Sequence, residues 1–265
     1  MINFFSIKLS SCFILSLILS FAFANVCLAH YSWIQVDNFN FSTVDNIDIF
    51  IANGHKFPVM ANFMEASRLD DIYIVNNNNN KISIDPTSKF KLKSNNKLKK
   101  GSYILAAYSK YFSSDTPSGY YKFKTKEDLD NVTKCELNHK CMKSIINSKN
   151  AHDKVDFKVG HSIEIIPLKN PLNMDKGEFL PIQVLLNGDP LQDSQIHATY
   201  MGYYTKKQKY KGFGQTVRTN QKGKAKIKLD HRGIWLIKAY SKSPYPNKEV
   251  CDIKEFIASL TFRME

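Results

Sequence analysis

The chain has 265 residues, of which 43% are hydrophobic and 12% aromatic, enough for two modest hydrophobic cores. It carries 37 lysine and arginine residues against 24 aspartate and glutamate residues, an excess of positive charge that would suit nucleic acid or an anionic surface. The lysines are scattered singly through strand-like segments, however, so the sequence predicts a solvated basic face and argues against a nucleic-acid partner.

The first 29 residues read as a signal peptide. One positive charge at Lys8 precedes an almost wholly apolar stretch that ends at residue 28. A small-x-small pattern ending at Ala29 would release His30, and a competing pattern ends at Ala24. We expect cleavage after Ala29, and therefore a periplasmic protein. No later segment is apolar for long enough to span a bilayer, so we expect no stable membrane insertion after cleavage.

The next part of the chain reads as short strands separated by turns. Residues 45–52, 71–75 and 81–85 alternate polar and apolar side chains with a period of two, which is typical of half-buried strands. Asparagines at residues 76–80 separate the last two segments and predict a hairpin loop.

Residues 126–150 break this alternation. The segment begins with Thr125-Lys-Glu-Asp, which is close to a capping box, and its apolar residues do not recur with a period of two. We expect one or two helices here, inserted in a β protein.

Three cysteines, Cys135, Cys141 and Cys251, would remain after cleavage, and one disulfide with one free thiol is the simplest arrangement in an oxidising compartment. Cys135 and Cys141 are closest in sequence. Their spacing does not bring side chains together on a regular helix, so a bridge between them would need a turn around Asn138-His139. The pairing therefore stays open.

Strands resume in the second half, over residues 162–166, 180–186, 195–200, 224–229, 234–240 and 256–262. Residues 101–110 and 233–242 share a glycine, an aromatic residue two positions later and a final Ala-Tyr-Ser-Lys. The chain is therefore predicted to be mainly β, with two β-sandwich domains. Residues 30–158 would form the first domain, with the helical insertion near 126–150, and residues 159–265 the second.

Six short motifs follow one another along the chain: His30-Tyr-Ser-Trp33, Gly54-His-Lys-Phe-Pro58, Gly160 to Leu168 followed by Asn170-Pro171, Asn187-Gly-Asp-Pro-Leu191, Thr219-Asn-Gln-Lys-Gly223 and Gly233-Ile-Trp235. In this order they resemble a family of secreted bacterial proteins, the domain-of-unknown-function 4198 family. That family is usually described as a periplasmic component of nickel or cobalt uptake.

The resemblance implies a non-enzymatic, metal-binding accessory protein that serves inner-membrane metal-transporter subunits of ABC or ECF type. It also implies that the C-terminal domain is an immunoglobulin-like sandwich of the carboxypeptidase-regulatory type. In such a sandwich the Asn-Gly-Asp-Pro-Leu motif forms a hairpin and has no chemical role.

Three histidines are the candidate metal ligands. If cleavage exposes His30, its imidazole and its α-amino group, with a pKa of roughly 8, can chelate one cation together. His55 is expected at the end of a strand, in a motif that matches the family. His161 follows Gly160 in the same Gly-His form and would lie at the domain interface. The expected ligand is a divalent transition metal, with nickel or cobalt favoured by the resemblance and copper or zinc as alternatives.

No nucleophile with an adjacent base and no phosphate-binding loop is recognisable, so no catalytic or cofactor-binding residue is assigned. Two alternatives to metal uptake stay open. One is a structural β-sandwich whose basic face binds anionic envelope polymers without metal. The other is a copper-dependent oxidative enzyme that holds its metal in a histidine brace formed by the N-terminal histidine and a second histidine.

We expect the mature protein, purified from the periplasm, to begin at His30. Intact-mass and N-terminal peptide mass spectrometry would measure the first residue directly. A mature chain that begins at Asn25 would contradict this prediction, because the nitrogen of His30 would then belong to a peptide bond and could not act as an amine ligand.

Overall fold

The computed structural model describes residues 31–41, 47–94, 98–148, 151, 153–203 and 213–265. The predicted signal peptide and His30 lie outside these ranges, so cleavage after Ala29 stays a prediction. Within the described ranges, none of the helices has the length and apolar character needed to span a bilayer.

Strands make up most of the described chain, and the predicted mainly β fold is confirmed. Helical structure in this part is confined to two short 3-10 helices, Ala66–Arg68 and Pro171–Asn173. The strands are β1 (Tyr31–Val36), β2 (Asn40–Phe41), β3 (Asp48–Gly54), β4 (Asn62–Phe63), β5 (Asp71–Asn76), β6 (Lys81–Pro86), β7 (Leu92–Ser94), β8 (Ser102–Thr116), β9 (Gly119–Lys122), β10 (Lys134–Ser148), β11 (Ile163–Pro167), β12 (Phe179–Leu186), β13 (Asp189–Pro190), β14 (Gln195–Tyr200), β15 (Gln215–Arg218), β16 (Lys224–Lys228), β17 (Gly233–Pro244) and β18 (Ile253–Met264).

The predicted helices within residues 126–150 are wrong. Residues 134–148 form β10, and residues 126–133 are turns and irregular chain. β10 lies between β8 and β18 and is buried on both faces, so Met142 and Ile146 pack into one core while Cys141 and Ile145 pack into another. Burial of both faces removes the alternation of polar and apolar residues by which a half-buried strand is recognised.

The described strands form two sheets. The larger runs in the order β1-β3-β7-β6-β5-β8-β10-β18-β17-β14-β15, and β2, β4 and β9 pair with β10, β3 and β8 respectively. The smaller contains β11, β12, β13 and β16. Most neighbours are antiparallel, but β10 pairs with β18 in the parallel direction.

The central strands of the larger sheet carry a hydrophobic core on each face. On β8, Ile104 and Ala106 pack against the smaller sheet, whereas Tyr103 and Leu105 pack against the layer that contains β1 and β3. β1 also lies across β10 and β18, and the hydroxyl of Thr261 donates to the carbonyl of Ile34 at 3.0 Å. The result is two β-sandwiches that share central strands.

The predicted domain boundary near residue 158 falls between β10 and β11. The stretches on its two sides are joined through the sheet, since residues 136–144 of β10 pair with residues 253–261 of β18. The core beneath the smaller sheet also contains residues from both stretches. The division into residues 30–158 and 159–265 stays a prediction.

The pattern shared by residues 101–110 and 233–242 has a structural counterpart. These segments lie largely in β8 and β17, which flank the parallel pair of β10 and β18 on either side. The matching aromatic residues Tyr103 and Trp235 pack into cores on opposite faces of the central strands. Each copy of the pattern therefore anchors a different sandwich.

The disulfide joins Cys135 to Cys251, with their Cα atoms 4.9 Å apart, and Cys141 is a buried free thiol. The candidate bridge between Cys135 and Cys141 is not formed because both residues lie on β10, where six residues span about 20 Å. Cys251 comes just before β18, so the pairing of β18 with β10 brings it beside Cys135.

We expect the Cys135→Ala/Cys251→Ala variant to lose about 2–5 kcal/mol of unfolding free energy, because a crosslink between distant residues restricts the unfolded chain. Urea denaturation followed by circular dichroism measures this loss. The matched control is Cys141→Ala, which removes a buried thiol without removing a crosslink and should cost about 1 kcal/mol. Equal losses in the two variants would contradict the prediction.

Candidate functional site

A groove of about 640 Å³ opens on the face of the central strands that also carries β1 and β3. We call it the basic groove. Its floor comes from β8, β10 and β18, one wall from β9, and the other from the chain between β3 and the first 3-10 helix. The lining residues are Asn53, His55, Asn62, Met64, Arg68, Ser109, Tyr111, Asp115, Tyr120, Lys122, Phe123, Lys134, Glu136, Asn138, Lys140 and Glu255.

The floor of the groove and a hydrophobic core lie on the same face of the central strands, towards opposite ends. Along one face of β8, Leu105 and Ala107 lie in the core, and Ser109 and Tyr111 follow in the groove. Asn138 is held beside them by a hydrogen bond from its Nδ2 to the hydroxyl of Ser113 at 2.8 Å. The change from apolar to polar side chains along this face marks where the sandwich interior ends and the groove begins.

Two glutamates with little solvent exposure lie on the floor and are held by lysines. Glu136 is 2.9 Å from Lys134 and 3.0 Å from Lys242, which also lies 3.3 Å from Glu255. Burial by itself would raise the pKa of Glu136, but the contacts with Lys134 and Lys242 outweigh burial and lower the pKa. Glu136 is therefore ionised at neutral pH.

Three further cations line the groove. Lys140 is 6% exposed, and burial lowers its pKa to about 8, opposed by the charge of Glu255. Partial burial, followed by the charge of Arg68, lowers the pKa of Lys122. The Nζ of Lys122 lies 5.7 Å from the centre of the Tyr111 ring, within the range of a cation–π contact.

His55 stands on the wall of the groove beside β1. Tyr31, the first described residue, pairs with Gly54 in the register of β1 and β3. The backbone N–H of Phe57 donates to the Tyr31 hydroxyl at 3.0 Å, which ties the His55 loop to β1. Burial, followed by the charge of Lys238 and other lysines, lowers the pKa of His55, so its imidazole is neutral at neutral pH.

The glycine before His55 is required by close packing. A Cβ atom at Gly54 would lie 2.7 Å from the carbonyl oxygen of Val59 and 3.1 Å from the indole ring of Trp33. Trp33 also meets Phe57 edge-on, with ring centres 5.5 Å apart. Glycine therefore lets this loop close onto the buried indole and sets the position of His55.

His161 lies in a second cavity, of about 590 Å³, lined by residues from both sides of the predicted domain boundary. Burial and then the charge of Lys143 lower its pKa to about 4. Its Nδ1 is buried and makes no hydrogen bond to the described residues. Its ring centre is 6.1 Å from that of Tyr108, which projects from β8 on the face opposite the basic groove.

The structure places two of the three predicted metal ligands, His55 and His161, apart from each other. His55 and His161 line separate cavities on opposite faces of β8, because each belongs to a different sandwich. His30 lies outside the described residues. Within the ranges that the structure describes, no group of three or more histidine, cysteine, aspartate or glutamate side chains is arranged to hold a metal ion.

Sequence reasoning missed two groups of polar residues. Next to the second cavity, the Nδ1 of His139 is 2.8 Å from the Tyr108 hydroxyl and 3.3 Å from the Ser162 hydroxyl. At the basic groove, Lys140 is buried, and Lys238, whose charge acts on His55, is partly buried. Lys238 could have been noticed as the single lysine in the apolar run of residues 234–240. A charged side chain in such a strand either lies on a buried polar surface or is paired with an opposite charge.

Lys143 of β10 and Glu164 of β11 form an ion pair of 2.9 Å that is almost completely buried. Glu164 also accepts hydrogen bonds from the backbone N–H groups of Val159, at 2.7 Å, and Gly160, at 3.2 Å. The pair therefore fastens the smaller sheet to the central strands beside the second cavity.

A family model described as "Domain of unknown function (DUF4198)" matches residues 27–243. No curated protein matches the chain closely enough to indicate a relationship. Among solved structures, the fibronectin(III)-like modules of Clostridium thermocellum CbhA are 13% identical, with 87% of this chain and 94% of that chain covered and a TM-score of 0.20.

Two structures of Intimin are similar to the same extent. Its D00-D0 and D0-D1 domains are each 12% identical and each cover 87% of this chain, with TM-scores of 0.20 and 0.22. The alignments cover 98% and 97% of those chains. TM-scores this low support no conclusion about the function of this chain.

We expect Lys143→Met to lower the free energy of unfolding by about 3–5 kcal/mol, because it leaves the carboxylate of Glu164 buried without its cation. In Lys143→Met/Glu164→Gln no buried charge remains, so much of the loss should be recovered. Urea denaturation of both variants measures the difference. A double variant no more stable than Lys143→Met would contradict this account of the pair.

Proposed function

The chain belongs to the DUF4198 family, and because the matching family model is described only as a domain of unknown function, we propose the function from the basic groove: the chain is a periplasmic, non-enzymatic metal-binding protein. It carries nickel or cobalt as cargo and passes the metal to inner-membrane transporter subunits. His55 is one protein ligand, and the imidazole and α-amino group of His30 are the others.

The observation that carries this proposal is the register of β1 and β3. Tyr31 pairs with Gly54, and His55, the next residue after Gly54, lies on the groove wall. His30 is covalently joined to Tyr31, and consecutive Cα atoms are about 3.8 Å apart. A mature chain that begins at His30 would therefore place an amine and an imidazole one residue from the strand pair that holds His55.

The chemistry of these groups fits a late first-row metal. Neutral imidazole and amine nitrogens are good ligands for nickel, copper and zinc, and the choice among them depends on geometry and supply. The resemblance to proteins described as nickel or cobalt uptake components favours those two metals. An open groove, rather than a closed structural site, suits a protein that must release its cargo.

We expect the mature protein to bind Ni²⁺ with a Kd below about 100 μM, and His55→Ala to weaken that binding at least about tenfold. A chain that keeps Ala29 at its N-terminus should lose affinity to a similar degree, because the nitrogen of His30 is then an amide. Isothermal titration calorimetry of the purified proteins measures both effects.

The matched control is His231→Ala. His231 is an exposed histidine that stacks on Tyr200, with ring centres 3.7 Å apart, and is not part of the basic groove. Its loss should leave Ni²⁺ affinity unchanged. The proposal would be overturned by Kd values above about 100 μM, or by equal affinities in the wild type and His55→Ala.

A second candidate function, binding of anionic envelope polymers, is favoured by a row of lysines on the smaller sheet. Lys224, Lys226 and Lys228 alternate along β16 and are all exposed, while Ala225 and Ile227 between them are buried. Such a row presents positive charge at regular intervals to a polymer. Strongly salt-dependent binding to anionic polysaccharide, lost in a triple Lys→Gln variant, would support it.

A further inference from the structure

We infer that the basic groove binds a small carboxylate-bearing anion, so that the metal arrives as an anionic carboxylate complex rather than as a bare cation. The anion site follows from the groove itself, and the metal-bearing form of its ligand rests on the function proposed above.

The groove carries more positive than negative charge. Four cationic and three acidic side chains line it. Glu136 is already neutralised by Lys134 of the lining and by Lys242, and Lys242 also contacts Glu255. Positive charge is therefore in excess in a partly desolvated space, where each charge acts more strongly than in bulk water.

Arg68 and Lys122 are placed where an anion in the groove can reach them. Arg68 lies 3.4 Å from Glu65, but the same carboxylate is also 3.3 Å from Lys89. The Nζ of Lys122 lies beside the ring of Tyr111, 5.7 Å from its centre. Arg68 and Lys122 are both exposed, so an incoming anion can reach them without rearrangement of the core. Charge-assisted hydrogen bonds from such groups to a carboxylate are short and strong.

Two lysines, Lys140 and Lys238, place positive charge around His55. Lys140 lines the same groove, and the Nζ of Lys238 lies 5.1 Å from the centre of the Tyr31 ring, beside the strand pair that holds His55. A bare divalent cation approaching His55 would be repelled by both lysines. A complex with net negative charge would be attracted by the same lysines and could still offer the metal an open position for imidazole.

The size and lining of the groove favour a small ligand over a polymer. A volume of about 640 Å³ lies within the usual range for small-molecule sites. The rings of Tyr111 and Phe123, with centres 5.7 Å apart, offer an apolar contact for the carbon skeleton of an organic acid. The modest excess of positive charge suits a small di- or tricarboxylate better than a polyphosphate.

The experiment compares three probes by isothermal titration calorimetry: citrate, Ni²⁺ and the 1:1 nickel–citrate complex, which carries one net negative charge. We expect metal-free protein to bind citrate, and Lys122→Met to weaken both citrate and nickel–citrate about tenfold. Bare Ni²⁺ should bind Lys122→Met more tightly than the wild type, because the variant removes one positive charge from the groove. The matched control is Lys226→Met, an exposed strand lysine on β16 outside the groove, which should change none of the three affinities.

Citrate that does not bind metal-free protein, or that binds wild type and Lys122→Met equally, would overturn the inference. If Ni²⁺ binding still depended on His55 in that case, the proposed function would hold without the anion site. Citrate binding that depends on Lys122, without Ni²⁺ binding in any form, would support the anion site and reject metal as the cargo.

Discussion

The parallel pairing of β10 with β18 is the constraint on which the rest of the structure depends. It joins a strand from the middle of the chain to the last described strand, and the Cys135–Cys251 disulfide closes the same junction. The pairing places β8 and β17 on either side of this junction. The four strands together form a platform with a hydrophobic core on each face.

The two-sided platform explains where the cavities lie. Successive residues of a strand point to opposite faces, so Tyr108 reaches the second cavity while Ser109 reaches the basic groove. His55 and His161 are thus separated by the thickness of the sheet although both follow a glycine in similar local sequences. The same alternation puts Lys238 and Lys140 on the face that carries His55, where burial and then the charges of these two lysines lower the pKa of His55.

Much of the strand pattern could be predicted from the sequence because half-buried strands show a period of two. β5, β6, β14 and β16 agree with the predicted segments within one residue at each end. β10 could not be recognised, since both of its faces are buried and its apolar residues follow no simple period. The capping-box contact expected from Thr125-Lys-Glu-Asp does exist, since the backbone N–H of Thr125 donates to the Asp128 carboxylate at 2.8 Å, but it closes a turn.

The sequence by itself determined the mainly β fold, the Gly-His motif at residue 55 and the excess of positive charge, because these follow from local period and composition. Only the tertiary structure decided that Cys135 pairs with Cys251 and that His161 lies apart from His55. It also decided which lysines of a scattered set converge on one groove. Each of these depends on how strands distant in sequence pair and which face they present, and local sequence does not encode either.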